Sequence, residues 1–211
     1  MLKQFVGLMS PKMKSLKRLY GLICNKGPID KNSLMELTGY KSATCSRLIE
    51  ELLHAELIYE SGLGKSSGGR KPSMYTINPN ISYLIGVDIS RSYTRVLLLD
   101  LNLTIVDSAK LEMTWQCTAD YTLQFVIEKI EQMLSKHDIQ HEQLLGIGVG
   151  TVGPLDREKG IIIEPKLYIS DGWKNVNIVE ILSQRFNTLV LLDNGANLAA
   201  LGEYQGSATR C

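Results

Sequence analysis

The sequence predicts an α+β chain in two parts. A winged helix-turn-helix occupies residues 1–80, and a ribonuclease-H-like α/β layer occupies residues 81–211. Three observations predict this. Residues 1–80 carry 12 Lys and Arg against 6 Asp and Glu, whereas residues 81–211 carry 11 against 16. The formal charge of +1 is therefore a cationic part offset by an acidic one, as expected when a module that meets a polyanion is joined to one that does not. Apolar residues of the first part recur at helical spacing in three short runs before two β-prone pieces. Beyond the Asn78-Pro79-Asn80 turn, strands alternate with helices.

The composition, 44% apolar and 21% charged, is that of an ordinary globular chain. No apolar run approaches the roughly 18 residues needed to span a bilayer, and the apolar patch in MLKQFVGLMSPKMK is too short for a signal peptide. Cys24, Cys45, Cys117 and Cys211 are far apart and lack CxxC spacing, so neither a zinc ribbon nor a disulfide framework is indicated. A cytoplasmic chain with free thiols, no metal, no cofactor and no membrane partner is the expectation.

Leu16, Leu19, Tyr20 and Ile23 recur at i, i+3, i+4 and i+7, which predicts a helix over residues 14–24. Asn25 to Pro28 is a turn. Asp30 can cap a second short helix that buries Leu34 and Leu37, and Gly39 ends it. A third helix buries Cys45, Leu48, Ile49, Leu52 and Leu53. Two short helices joined by a few residues that include Gly are the sequence form of a helix-turn-helix. Lys41 precedes the third helix, and Ser42, Thr44, Ser46 and Arg47 lie toward its N-terminal half, away from the apolar stripe. Small hydroxyls and a guanidinium suit entry into a major groove, where they touch base edges or phosphates. Glu50 and Glu51 belong at the end that points out of the groove. A three-helix bundle used for protein contacts is the alternative.

Leu57-Ile58-Tyr59 and Tyr75-Thr76-Ile77 predict a two-stranded wing. Its loop, within SGLGKSSGGRKPS (61–73), carries Lys65, Arg70 and Lys71, with Arg70 presented by Gly68 and Gly69. This loop neither follows a buried strand nor fits GxxxxGK[ST], so it is not a nucleotide cradle.

In the second part, Tyr83–Asp88, Thr94–Leu99 and Leu103–Met113 read as three antiparallel strands. A helix over 119–135, a strand at Leu144–Val149, a helix over 176–186, a strand over 188–192 and a helix from Ala196 to Tyr204 follow. GVGTVGPLD (148–156) is glycine-rich after a strand but does not open a helix. His137 and His141 flank a helix end as solvent-exposed histidines.

Taken in order, these segments carry a resemblance: GPIDKNSLMELTGYKSATCSRLIEELLHAELIYE (27–60), SSGGRKPSMYTINP (66–79), LIGVDIS (84–90), GIGVGTVGPLD (146–156), DGWKNVNIVEILSQRF (171–186) and DNGANLAALGEYQG (193–206). The chain resembles the ROK family (repressors, open reading frames and kinases), specifically its sugar-responsive transcriptional repressors of the xylose-repressor type. The resemblance implies that 81–211 is the N-terminal lobe of a sugar-kinase-like domain with an actin-like ATPase fold. It also implies that this lobe is incomplete, because family members continue with a second phosphate loop, a Cys/His zinc cluster and the rest of the nucleotide-binding lobe. A truncated gene product or a fragment is the expectation.

Family roles carry over only where residues match. Asp88-Ile89-Ser90 resembles the first phosphate-binding loop, usually Asp-x-Gly, with a Cβ at Ser90 where backbone should approach a phosphate. Asn194 resembles the asparagine that hydrogen-bonds sugar hydroxyls. Gly195 stands where the kinases have their catalytic aspartate, so the general base is missing, and no catalytic residue is assigned. Asp193 is one position early. Trp173 is either a platform for a sugar ring or a core residue. The implied function is a sequence-specific repressor of sugar-utilisation genes, not an enzyme. Its implied partner is double-stranded operator DNA, with a monosaccharide effector and a homodimer as candidates. An ATP-dependent sugar kinase and an interaction domain that does not bind DNA are the alternatives.

Overall fold

Residues 2–5, 9–64, 71–165, 168 and 170–208 are described by the computed structural model, and the chain divides into two units, Met1–Ile81 and Ser82–Cys211. In the first, helix α1 spans Pro11–Lys26. The Ser10 side chain accepts the Met13 N–H at 3.2 Å, and Pro11 occupies the first turn, where its missing N–H costs nothing. This cap sets the helix start three residues ahead of the apolar spacing. The two-residue strand β1 (Ile29–Asp30) follows, then helix α2 (Lys31–Thr38), capped by Asp30 through the Asn32 and Ser33 N–H groups and ended by Gly39 at φ 73°. Helix α3 is Ser42–His54.

Strands β2 (Ile58–Leu63) and β3 (Ser73–Ile77) pair antiparallel, and β1 adds to β3 to give the order β1-β3-β2. The Gly64 N–H donates to the Pro72 carbonyl at 2.8 Å and closes the hairpin base. Leu16, Leu19, Ile23, Leu34, Cys45, Leu48 and Leu52 are almost fully buried and form the core. Leu37 does not join them. It is 43% exposed, because Thr38 takes the inward position and its hydroxyl donates to the Leu34 carbonyl at 2.6 Å. Leu53 is only half-buried.

The second unit is built on a five-stranded sheet. Strands β4 (Tyr83–Ile89), β5 (Tyr93–Leu99) and β6 (Ile105–Glu112) are antiparallel. The third strand is shorter than expected because the Asp100 carboxylate accepts the Asn102 and Thr104 N–H groups and holds the connection as a turn. Helix α4 (Ala119–Lys136) leads to strand β7 (Leu144–Thr151), and the short strands β8 (Leu155–Asp156), β9 (Ile161–Ile162) and β10 (Val176–Asn177) form a small separate sheet. Helix α5 (Ile178–Phe186) starts two residues later than its apolar pattern, since Asn177 caps it by accepting the Glu180 N–H. Strand β11 (Leu189–Asn194) and helix α6 (Gly195–Ala208) complete the unit. The large sheet has the order β11-β7-β4-β5-β6, with β7 parallel to both β4 and β11.

One face of this sheet packs under α4 and α5, where Ile85, Val87, Ile89, Val149, Ile130 and Phe186 share one core. The opposite face carries Gly86, Asp88 and Gly148, with Leu189 and Leu191 exposed. Among the described residues, no helix is long and apolar enough to cross a membrane.

Gly160 shows how closely α5 approaches the small sheet. Its φ is +72°, and a Cβ there would stand 2.3 Å from the Val179 Cβ. Gly160→Ala is expected to lower the unfolding free energy by about 2–4 kcal/mol through overpacking and left-handed strain. Gly148→Ala, whose added Cβ meets nothing within 4 Å, should stay within about 0.5 kcal/mol of the parent in urea unfolding.

Candidate functional site

In the second unit, the parallel strands bring their C-terminal ends into register. Asp88, Gly150 and Asp193 lie in one row across β4, β7 and β11, and Ile89, Thr151 and Asn194 lie in the next. Ile89 and Thr151 are buried. The Thr151 hydroxyl and the Tyr168 phenol each donate to the Ile89 carbonyl, at 3.0 and 3.1 Å, which ties this corner together. Beside it opens a cavity of about 660 Å³ bordered by Asp88, Ser90, Arg95, Thr151, Asn194 and Gly195. Its size suits a small organic ligand, and the C-terminal ends of strands are where open α/β sheets bind ligands.

The structure brings Asp88, Ser90, Asn194 and Gly195 together at this cavity and leaves Trp173 elsewhere. Trp173 is 4% exposed, packs against Tyr168 with ring centroids 4.8 Å apart, and donates its indole N–H to the Ser170 hydroxyl at 3.2 Å. It is a core residue here. Ser90 closes the β4–β5 turn: its hydroxyl donates to the Tyr93 carbonyl at 2.9 Å and accepts the Tyr93 N–H at 3.1 Å. A hydroxyl so engaged satisfies the turn itself. Asp88 faces Tyr93, whose phenol is pushed up from its ordinary range by the hydrogen bond to that carboxylate and by its charge.

Asn194 caps α6, its side-chain oxygen accepting the Ala196 N–H at 2.9 Å. Asp193 accepts the Asn194 N–H and the Asn197 side chain on one oxygen and the Arg157 guanidinium on the other. Those contacts, the Asn194 N–H foremost, hold its carboxyl below the usual carboxylate range. At Gly195 a Cβ would lie 4.0 Å from a carboxylate oxygen of Asp88 and no closer than 3.8 Å to anything else outside its neighbours. The backbone there accepts a side chain without clash.

In the first unit, α3 presents a polar face. Lys41, Ser42 and Arg47 are exposed, and Thr44 and Ser46 are half-buried. The centre of that face is Ala43, Arg47 and Glu50, all exposed. Ala43 lies opposite the Cys45–Leu48–Leu52 stripe, which places it on the outer face although it is apolar. Glu51 is engaged by Lys12 at 2.9 Å. Lys71 is exposed after the β2–β3 connection, while Lys65 and Arg70 lie outside the described residues.

Among the described residues, no group of three or more His, Cys, Asp or Glu could hold a metal ion. His137 is half-buried instead of fully solvated and pairs with Asp107 at 2.9 Å. Asp107 is held well below the carboxylate range by Lys136 first and His137 second. His141 stacks on Phe186.

This α/β architecture and its site accompany a match to the ROK family over residues 84–211, and the chain belongs to that family. It is 29% identical to a xylose repressor of Bacillus spizizenii over 91% of this chain and 49% of the relative. It is 30% identical to a xylose repressor of Caldicellulosiruptor bescii over 90% and 48%. A solved ROK family transcriptional regulator, homolog of the E. coli MLC protein, shares the fold with a TM-score of 0.62 at 21% identity, over 87% of this chain and 46% of that one. The chain spans about half the length of the curated relatives it matches.

Ser90→Gly would produce the Asp-x-Gly pattern, yet it removes the hydrogen bonds that hold the turn and adds backbone freedom. It is expected to cost about 1–2 kcal/mol of stability in chemical denaturation. An unchanged or higher stability would contradict the turn-closing role.

Proposed function

We propose that the chain is a DNA-binding transcriptional repressor of sugar-utilisation genes. In this reading α1–α3 and the β2–β3 hairpin form a winged helix-turn-helix that reads duplex operator DNA. The second unit is then a sugar-kinase-like sensor without kinase activity. The observation that carries the reading is the exposed N-terminal half of α3, where Lys41, Ser42 and Arg47 stand on a cationic unit. Arg47 is suited to a base edge in the major groove, whereas Lys41 and the wing cations Lys65, Arg70 and Lys71 are suited to phosphates.

The proposed lack of kinase activity rests on the chemistry of the cleft. Phosphoryl transfer to a sugar hydroxyl needs a carboxylate to take the proton, and position 195 is glycine. Asp193 cannot take over the role. Its oxygens already accept three hydrogen bonds, and a carboxylate held below its ordinary range is a weaker base. A monosaccharide bound near Asn194 would then act as effector, and the xylose-repressor relatives make xylose the first sugar to test. Two copies on two half-sites would follow the usual geometry of such readers. The proposed setting is the cytoplasm.

The test uses duplexes selected from a random library by the full chain, followed by polarisation titrations between about 50 and 200 mM salt. Arg47→Ala is expected to weaken the selected duplex by about 5- to 150-fold and to relax its sequence preference. Arg70→Ala should weaken all duplexes alike and lower the salt slope by about 1. Gly195→Asp should leave DNA affinity unchanged, and the parent chain should release no ADP from ATP with xylose. Binding that is indifferent to salt and to both arginines would rule out the DNA reading. Sugar-dependent ADP release by the parent would restore the kinase.

A further inference from the structure

Arg18 projects from α1, a helix to which the DNA reading assigns no DNA contact. It is exposed, yet it is not a loose surface cation. One guanidinium nitrogen donates to the Leu37 carbonyl at 3.4 Å, and the group lies over the Tyr40 ring with 5.6 Å to the centroid. Leu37 is in the last turn of α2, where carbonyls lack intrahelical partners. Tyr40 lies in the short connection between Gly39 and Ser42. Both contacts therefore hold Arg18 at the junction of α2 and α3, beside the N-terminal end of α3 where Lys41 and Ser42 are exposed.

The contrast with Lys12 is informative. Lys12 sits on the same helix and is neutralised by Glu51 of α3. Among the described residues, no carboxylate forms an ion pair with Arg18. A guanidinium has five donors in a rigid fork, and the Leu37 carbonyl takes one of them. The ring beneath it limits the conformations that must be lost on binding, which is the cost a flexible surface cation meets. The result is a preorganised cation with donors left to offer at the end of α3.

We propose that Arg18 is a DNA-phosphate contact that fixes how α3 enters the groove, and that Tyr40 is the positioning residue that holds it there. The proposal rests on the DNA reading of α3 and extends it to α1, to which that reading assigns no DNA contact. A phosphate contact carries no base information, so its loss weakens every sequence alike and removes one counterion from the salt dependence. A purely structural Arg18, closing the C-terminal end of α2, would change stability and leave the salt slope alone.

The experiment compares the parent chain, Arg18→Gln, Arg18→Lys, Tyr40→Leu and Arg47→Ala. The probes are the library-selected duplex and a random-sequence duplex of equal length, with thermal unfolding monitored alongside. Arg18→Gln is expected to weaken both duplexes by about five- to tenfold near 0.1 M salt and to lower the slope of log K against log salt by about 0.9. Arg18→Lys should keep the slope. Tyr40→Leu should weaken both duplexes by about two- to fivefold. Parent affinity and slope in a folded Arg18→Gln protein would overturn the proposal, as would a lowered melting temperature with an unchanged slope. If Arg47→Ala still weakens the selected duplex in that case, the DNA reading stands and only the Arg18 assignment fails. A parent chain with no salt-dependent DNA binding removes both.

Discussion

Ile85, Val87 and Ile89 alternate along β4 with Gly86 and Asp88. All three can reach the core only if Ile85 lies beside Ile147 and Val87 beside Val149. A slip of one residue would turn Ile85, Val87 and Ile89 to the opposite face and drive Asp88 inward. That burial constraint, repeated at Val190 and Leu192 of β11, fixes the register of all three parallel strands. Their polar ends are aligned as a consequence, and a cleft bordered by Asp88, Thr151 and Asn194 is what remains at the mouth of the sheet.

The cleft is held by the same polar groups that border it. Ser90 closes the β4–β5 turn, Asn194 caps α6, and Asp193 gathers the Asn194 N–H, Asn197 and Arg157. In an α/β unit, chain reversal and helix entry happen where the strands end, so the residues that satisfy backbone groups there also lie where a ligand would dock. Polarity at the cleft is therefore weak support for catalysis when the carboxylates are already engaged and position 195 has no side chain.

The first unit separates the two jobs. Its core is a compact set of Leu, Ile and Cys from α1, α2 and α3, and its capping is done by Ser10, Asp30 and Gly39. The outer face of α3 is free of those duties. The Arg47 side chain makes none of the hydrogen bonds or ion pairs among the described residues, whereas Glu51 is tied to Lys12. An exposed arginine without a structural task, on a part of the chain with twice as many basic as acidic residues, is in keeping with the proposed DNA reading.

Much of this was legible in the residues because it depends on local physics. Local sequence pattern marked the α-helices and the strands of the large sheet among the described residues, with apolar spacing clearest in α1 and α3; Asp30 marks the start of α2 and Gly39 its end. Element ends were less legible where a side chain outside the apolar pattern decided them, as with Ser10 before α1, Asp100 after β5 and Asn177 before α5. The two-residue strands β1, β8, β9 and β10 were invisible because so short a segment carries no period. The sequence by itself determined the split of charge and the glycine at position 195, since each is a property of residue identity. Only the tertiary structure decided that Trp173 is core, that Leu37 faces out, that Ser90 and Asp193 are already engaged, and that Arg18 of α1 stands at the entrance to α3. Those are relations between residues distant in the chain or competing for one position, and they are settled only when a single packing satisfies the buried apolar faces and the backbone hydrogen bonds together.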